Sequence, residues 1–278
     1  MIWELRHEHK IGLLIDVAGI PRSTYYYYEK QFKDPKPDKD AEIKADIRRI
    51  YDESKGRYGY RRITKELRKT HPVNHKKVQR LMRKMGIFCR VRMKKYNSFR
   101  GEVGRIAPNL LERDFKANKP NQKWVTDVTE FALFGIKLYL SPIIDLFNGE
   151  VISYNLSRHP NLSQVTDMLN KAFEKIPDNT NLILHSDQGW QYQHKHYQAM
   201  LKNKGIRQSM SRKGNCLDNA CAENFFGLLK TELLYLQEFS SVEDFITELH
   251  AYIEWYNTKR IKLKLGGMSP AEYRFAVA

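Results

Sequence analysis

Trp124-Val-Thr-Asp-Val-Thr-Glu-Phe131 is the stretch that decides the fold class. β-Branched and aromatic residues dominate it, as in a strand, yet Asp127 stands in its middle, where strands disfavour aspartate. The run continues to the turn Phe134-Gly135. Ile136 to Leu146 follows, then the pair Asn148-Gly149, then Glu150 to Leu156. Asn-Gly between apolar runs is a strong hairpin signal, so three antiparallel strands are expected. Beyond them the periodicity predicts a helix over about 162–175, a strand Leu182 to His185, and a helix over about 193–204. A strand Ile206 to Met210 and two long helices, about 218–236 and 241–257, complete the pattern. Hairpin strands followed by alternating helix and strand give an α/β core over 121–278, a mixed five-stranded sheet with flanking helices.

Three carboxylates in this core stand out by context. Asp127 interrupts an apolar strand. Asp187 directly follows Leu182-Ile-Leu-His-Ser, at the carboxyl end of a strand, where open α/β sheets place ligands. Glu223 belongs to a helix that begins near Asp218 and whose apolar face is Cys221, Phe225, Leu228 and Leu229. Glu223 falls opposite that face, beside Asn219, Gly227 and Lys230. Any chain with 32 acids offers three to select; it is the strand-interior, strand-end and helical settings that single these out. Mg²⁺ takes oxygen ligands, one or two of them carboxylates, plus water and phosphate. Two such ions stabilise both the attacking and the leaving oxygen of a phosphodiester.

Outward toward the N-terminus the charge changes. The 278 residues carry a net charge of +16. Residues 1–120 hold 31 Lys and Arg against 15 Asp and Glu, whereas residues 121–278 hold 17 of each. Lys55 to Arg100 carries 17 bases against one acid, Glu66. A phosphate backbone is the commonest partner for such density, because each contact releases condensed counterions. Residues 1–32 read as a helical segment broken at Gly19-Ile-Pro21, followed by a polar linker at 33–40. Tyr25 to Tyr28 cannot all face one way. They are expected to divide between core and surface, with base or sugar contact as the lesser reading. Helices are expected over about 40–54, 60–70 and 75–85, the last capped by Asn74. Ile63 and Leu67 point inward on the second, and Val78, Leu81, Met82 and Met85 on the third. Residues 40–95 thus have the outline of a helix-turn-helix DNA-binding domain, with Arg57, Arg61, Arg80, Arg83 and Lys84 as candidate DNA contacts. Residues 96–120 read as a basic linker.

Trp124-Val-Thr-Asp127-Val-Thr, His185-Ser-Asp187-Gln-Gly and Asp218-Asn-Ala-Cys-Ala-Glu223-Asn-Phe-Phe together resemble the catalytic core of retroviral integrases and of the OrfB-type transposases of bacterial insertion sequences. Thirty-five residues separate Asp187 from Glu223. The tail Trp255-Tyr-Asn-Thr-Lys-Arg260, with Leu265-Gly-Gly-Met-Ser-Pro270, is similar too. Arg57-Tyr-Gly-Tyr-Arg-Arg-Ile resembles the helix-turn-helix ahead of that core. One departure is Arg260-Ile-Lys262, where the family often has histidine at the third position.

The resemblance covers most of the chain. It implies an RNase H-like fold and a DDE triad of Asp127, Asp187 and Glu223. Two Mg²⁺ ions would be held there, with Mn²⁺ as an alternative, Asp127 serving both ions and the other two acids one each. It also implies that Lys230 contacts the element's terminal DNA. The expected reaction is cleavage at the element's ends, leaving a 3′-hydroxyl that is then joined to target DNA. Expected partners are element-end and target DNA, further copies of the chain in a homo-multimer, and the upstream reading-frame product as a frameshift fusion. The contrasting reading is a non-catalytic DNA-binding regulator of the element that keeps the fold. A third is an RNase H-like nuclease without strand transfer.

Other classes lack their signatures. Cys89, Cys216 and Cys221 form neither a disulfide framework nor a zinc spacing. His71, His75, His194 and His196 find no cysteine pair to complete a zinc site and read as surface residues. There is no Gly-rich phosphate loop, no heptad zipper, and no apolar run near the ~20 residues a membrane span needs. The charged N-terminus gives no export signal. A bacterial cytoplasmic, nucleoid-associated protein is expected.

Overall fold

A computed structural model describes residues 2–33, 38–91, 106–212 and 216–277. Much of the expected basic linker at 96–120, and part of the linker at 33–40, lies outside these residues. The chain divides into two compact units, Met1–Ile50 and Tyr51–Ala278. The expected DNA-binding stretch 40–95 is therefore divided, and its last two helices belong to the same unit as residues 121–278.

The first unit is helical: α1 (Ile2–Leu5), α2 (Ile11–Ala18), α3 (Arg22–Lys33) and the start of α4 (Ala41–Glu53), which crosses the boundary. Gly19, at φ 66°, ends α2 in the left-handed conformation, and its N–H reaches the carbonyls of Ile15 and Asp16. Of the four tyrosines, Tyr25 is buried and Tyr26, Tyr27 and Tyr28 are exposed, the division between core and surface that helical geometry requires.

The second unit opens with α5 (Tyr60–Leu67) and α6 (His75–Lys84). Ile63, Leu67, Val78, Leu81 and Met82 are buried on their facing sides. The Asn74 side chain accepts the Lys76 N–H at 3.1 Å and caps α6. The sheet follows: β1 (Lys123–Thr126), β2 (Thr129–Leu133), β3 (Ile136–Asp145), β4 (Val151–Ser157), β5 (Ile183–Ser186) and β6 (Arg207–Met210). β3 pairs antiparallel with β1, β2 and β4, and β5 lies parallel between β1 and β6. Six strands stand where five were expected, because the run Trp124 to Phe134 breaks at Asp127-Val128 and both halves pair with β3. The break has a local cause. Asp127 Oδ1 accepts the Val128 N–H at 2.8 Å, which turns that donor to its neighbour's side chain. Phe134 (φ 51°) and Gly135 (φ 74°) form the two-residue β2–β3 turn, both in the left-handed region.

Helices cover both faces. α7 (Leu162–Phe173), α8 (Trp190–Gln193) and α9 (Lys195–Lys204) lie on one side; α10 (Ala220–Leu229) and α11 (Val242–Thr258) lie on the other. α12 (Pro270–Val277), which the sequence pattern did not announce, closes the chain. Alternation along β1 sends Trp124 into the α7–α9 core and Val125 into the α10–α11 core. Leu182 and Leu184 of the β5 run belong to the α7–α9 core as well. By that period of two, Asp127 and Asp187 face the layer that contains α10.

Candidate active site

Asp127 and Asp187 sit just past the carboxyl ends of two adjacent parallel strands, β1 and β5. Glu223 lies in the first turn of α10, whose buried positions are Ala222, Phe225, Phe226 and Leu229. Asn219 ties the two elements together: its Nδ2 donates to the Thr126 carbonyl at 3.4 Å. That bond holds the start of α10 against the end of β1. Asp187 is fixed by the Gly189 N–H, which donates to its Oδ1 at 2.9 Å. A Cβ at Gly189 would lie 2.6 Å from Gln191 Nε2 and 3.0 Å from the same oxygen, so a larger residue here would have to displace both side chains.

The three acids act on one another. Burial pushes the Asp127 carboxyl well above the usual carboxylate range, and the charges of Asp187 and Glu223 push it further. Asp187 is raised by burial. Glu223 is raised by burial and then by Asp187. Among the described residues no set of three His, Cys, Asp or Glu side chains is drawn tightly enough to hold a metal ion as it stands. An all-oxygen donor set of this kind suits a hard divalent cation, and not zinc or copper. The buried Asn219 Oδ1 is a further oxygen with no hydrogen-bond partner among the described residues.

Neighbouring groups seal the strand ends. His185 is buried, its ring nitrogens 2.8 Å from Ser209 Oγ and 3.1 Å from Ser211 Oγ. Burial pushes its imidazole down to about 4, so it is neutral at physiological pH. Lys230 begins a π-helical segment, Lys230–Leu234, that continues α10. It is half-buried over the Phe131 ring at 5.6 Å, and burial lowers its ammonium.

The candidate DNA-contacting side chains separate. Arg61, Arg80, Arg83 and Lys84 are exposed on α5 and α6. Arg57 is a correction to the sequence reading, since it is buried inside the second unit. Its Nε donates to the Glu232 carbonyl at 2.8 Å, and its guanidinium lies 4.6 Å from the Trp255 ring centroid and 5.2 Å from that of Tyr252. Charge density in the sequence could not tell a solvated arginine from one that docks a helix on the core.

Sequence reasoning also missed the polar node that receives Arg57. Glu232, in the π-helical segment, is buried, and Arg260 donates to both its oxygens at 2.6 and 2.8 Å. The Tyr252 hydroxyl donates to it at 2.9 Å. An acid between Leu229 and Leu233 at buried helical positions was the available signal.

An integrase core domain model matches residues 117–216, a second matches 223–276, and an HTH-like domain model matches 37–95. The InsK protein of insertion sequence element IS150 from Escherichia coli, by name a transposase, is 56% identical over 272 residues, which are 98% of this chain and 95% of that one. The chain belongs to the insertion-sequence transposases with an integrase core. A transposase for insertion sequence element IS904 of Lactococcus lactis is 37% identical over 82% of this chain and 91% of that one. Among solved structures, the HTLV-2 integrase catalytic core domain in complex with magnesium is similar to this chain at a TM-score of 0.47 and 18% identity. That likeness covers 56% of this chain and 98% of the integrase core. In this transposase family member the mixed sheet lies in the residues matched by the integrase core models, and the HTH-like region precedes them in the chain.

Proposed function

We propose that this transposase cleaves the ends of its insertion sequence and joins the resulting 3′-hydroxyl to target DNA, with Asp127, Asp187 and Glu223 as the metal-holding triad. What supports this reading is that Asp127, at a β1 end, feels the charges of Asp187, at a β5 end, and of Glu223, on α10, in a chain of the transposase family. When bound, two divalent ions, Mg²⁺ or Mn²⁺, would supply the Lewis acidity that activates the attacking oxygen and neutralises the leaving one. The protein's own part is positioning. The Val128 and Gly189 N–H groups fix the Asp127 and Asp187 carboxylates. Asn219 sets the approach of α10. No side chain need form a covalent bond to DNA, because a placed hydroxyl attacks phosphorus directly and the displaced oxygen leaves with a proton. Lys230, Arg61, Arg80, Arg83 and Lys84 are assigned to DNA backbone contact. Multimers on paired ends, and a fusion with the upstream reading-frame product, belong to the same reading.

The test is strand transfer with purified full chain, a pre-cleaved duplex from the element's flank, and Mg²⁺, with Glu223→Gln beside the wild type. Joined product from the wild type alone is expected. Equal product from both would remove Glu223 from the triad. Cutting without joining would favour a nuclease.

A further inference from the structure

Glu112 (φ 46°) and Arg113 (φ 65°) are the only adjacent non-glycine residues at positive φ among those described. Such strain persists only where the surroundings over-determine it, and it gathers at functional positions. Here the surroundings are specific. Leu111 is buried in the α10–α11 core. Asn109 Oδ1 accepts the N–H groups of Leu111 and Glu112 at 3.1 and 2.9 Å, and the Leu110 N–H donates to Ser209 Oγ at 2.9 Å. The strained pair turns Arg113 toward Asp218, to whose Oδ1 its Nε donates at 2.9 Å.

Arg212 reaches the same carboxylate from the other side. Its Nε and its backbone N–H each donate to Asp218 Oδ2 at 3.1 Å, and Asn109 Nδ2 donates there at 3.1 Å. The Asp218 side chain is fully buried, while those of Arg113 and Arg212 are 45% and 59% exposed. Two guanidinium groups share one carboxylate, so the cluster carries an excess positive charge. The terminal Nη groups of Arg113 make no protein hydrogen bond among the described residues. Burial works to raise the Asp218 carboxyl, but the bonds from Arg113 and Arg212 outweigh it and hold it at about 2. Asp218 therefore stays charged, and both arginines stay aimed, at any physiological pH.

The cluster stands beside the triad. The Ser211 N–H donates to the Ser186 carbonyl, and Gln188 Nε2 donates to the Ser211 carbonyl, each at 2.9 Å. These bonds hold Arg212 against the strand end that carries Asp187. Asp218 itself lies in the 3₁₀ turn Cys216–Asn219 that leads into α10 and Glu223. If the arginines served only to satisfy a buried acid, one would suffice, and neither would need its fork half in solvent. A guanidinium matches a phosphodiester in geometry and charge, and one phosphodiester cancels the excess.

We propose that Arg113 and Arg212 form a seat for a DNA backbone phosphate next to the triad, with Asp218 as the positioning residue for both. The proposal rests on the strand-cutting reading above.

Its test is DNA binding by the full chain, measured by fluorescence anisotropy over a salt series with Ca²⁺ in place of Mg²⁺. Two labelled probes are used: a pre-cleaved duplex from the element's flank and an unrelated duplex standing for target. Variants are Arg113→Gln, Arg212→Gln, the pair together, Arg212→Lys, and Arg207→Gln at the far end of β6 as control. Each phosphate that the protein no longer neutralises lowers the slope of log K against log salt by about 0.9. The expected result is a drop of about 0.9 for the pair and no more than that for either single glutamine variant, since both arginines hold one phosphate, with an unchanged slope for Arg207→Gln and Arg212→Lys; melting temperatures fall where the buried Asp218 loses its cations and hold for Arg207→Gln and Arg212→Lys. A drop on one probe only supports the seat and assigns it to element end or target. Unchanged slopes for the glutamine variants, whatever their melting temperatures, would mean that the arginines are only counterions of Asp218, and would overturn the seat while leaving the transposase reading intact. Absence of binding by the wild type to either probe would overturn both.

Discussion

At the residue scale, the three acids show a conflict between stability and chemistry. Each is raised by burial, and Asp127 and Glu223 are raised further by their neighbours' charge. A carboxyl raised in the folded state binds protons there that the unfolded chain has released. Stability contributed by that proton is present at low pH and is lost as pH rises through the folded value. At neutral pH the ionised cluster therefore weakens the fold. Asp127→Asn removes one charge and keeps the shape, so its melting temperature should exceed that of the wild type at pH 7, and the gain should shrink toward pH 4. Added Mg²⁺ should raise the melting temperature of the wild type, since a ligand bound only by the folded state stabilises it, and should do little for the variant. Thermal melts at two pH values, with and without Mg²⁺, check both signs. A variant that melts below the wild type at pH 7 would show that repulsion is not what governs this site. The place of Asp187 at a strand's carboxyl end was legible in the sequence, whereas Asp127, expected inside a strand, stands where the run breaks into β1 and β2. Arg57 was misread because exposed and buried arginines look alike in a basic run.

At the element scale, the informative feature is the π-helical segment Lys230–Leu234, continuous with the helix that carries Glu223. A π turn is rare and usually marks a function. Here it coincides with Glu232, buried against Arg260 and Tyr252 and, through its carbonyl, against Arg57 just ahead of α5. The same buried node thus anchors both the triad helix and the helix-turn-helix side of the second unit. Removing one partner of a buried ion pair strands the other and costs about 3–5 kcal/mol. Glu232→Ala should lose stability on that scale in urea unfolding, and Glu232→Gln, which keeps a hydrogen-bonding side chain, should lose less. A loss for the alanine variant below about 1 kcal/mol would show that the pair is dispensable. Lys262, where the family often has histidine, is a second buried basic side chain. It donates to the Asn148 and Gly149 carbonyls at 3.1 and 2.9 Å and to the Tyr256 hydroxyl at 2.8 Å. Burial, with the nearby Lys264 and Arg260, pushes it down to about 6 from 10.5. Between those values the unfolded chain binds one more proton than the folded one, so stability rises with pH by at most about 1.4 kcal/mol per unit. The difference in unfolding free energy between pH 9 and pH 7 should be larger for the wild type than for Lys262→Met; equal differences would place the charge back on the folded amine. Neither node could be read beforehand, because long-range pairing of buried charges leaves no local period.

At the scale of the whole molecule, period-2 and period-3.6 patterns sufficed for a mixed sheet flanked by helices, but not for the strand order or for the split of the first run into β1 and β2. They could not give the division of the chain. A boundary inside a continuous helix, α4, carries no turn or linker signal, and the unit that holds the triad also holds α5 and α6. Charge, by contrast, is additive and was legible in full: 31 bases against 15 acids in residues 1–120, and balance at 17 each thereafter. That asymmetry makes a quantitative demand on DNA binding. If the N-terminal bases hold the backbone, the salt dependence of affinity must reside mainly there. Arg80, Arg83 and Lys84 are exposed on one short helix, α6, whose other side packs Val78, Leu81 and Met82. Replacing all three with glutamine leaves that packing untouched, so the melting temperature should hold. The slope of log K against log salt should fall by about 0.9 for each phosphate left without its cation, hence by up to about 2.7 in all. Joining of a pre-cleaved end should weaken through KM and not through kcat, because none of the three reaches the triad's carboxylates. A slope unchanged by the triple replacement, with folding intact, would mean that α6 does not lie on DNA and that the grip comes from the other bases of the first 120 residues.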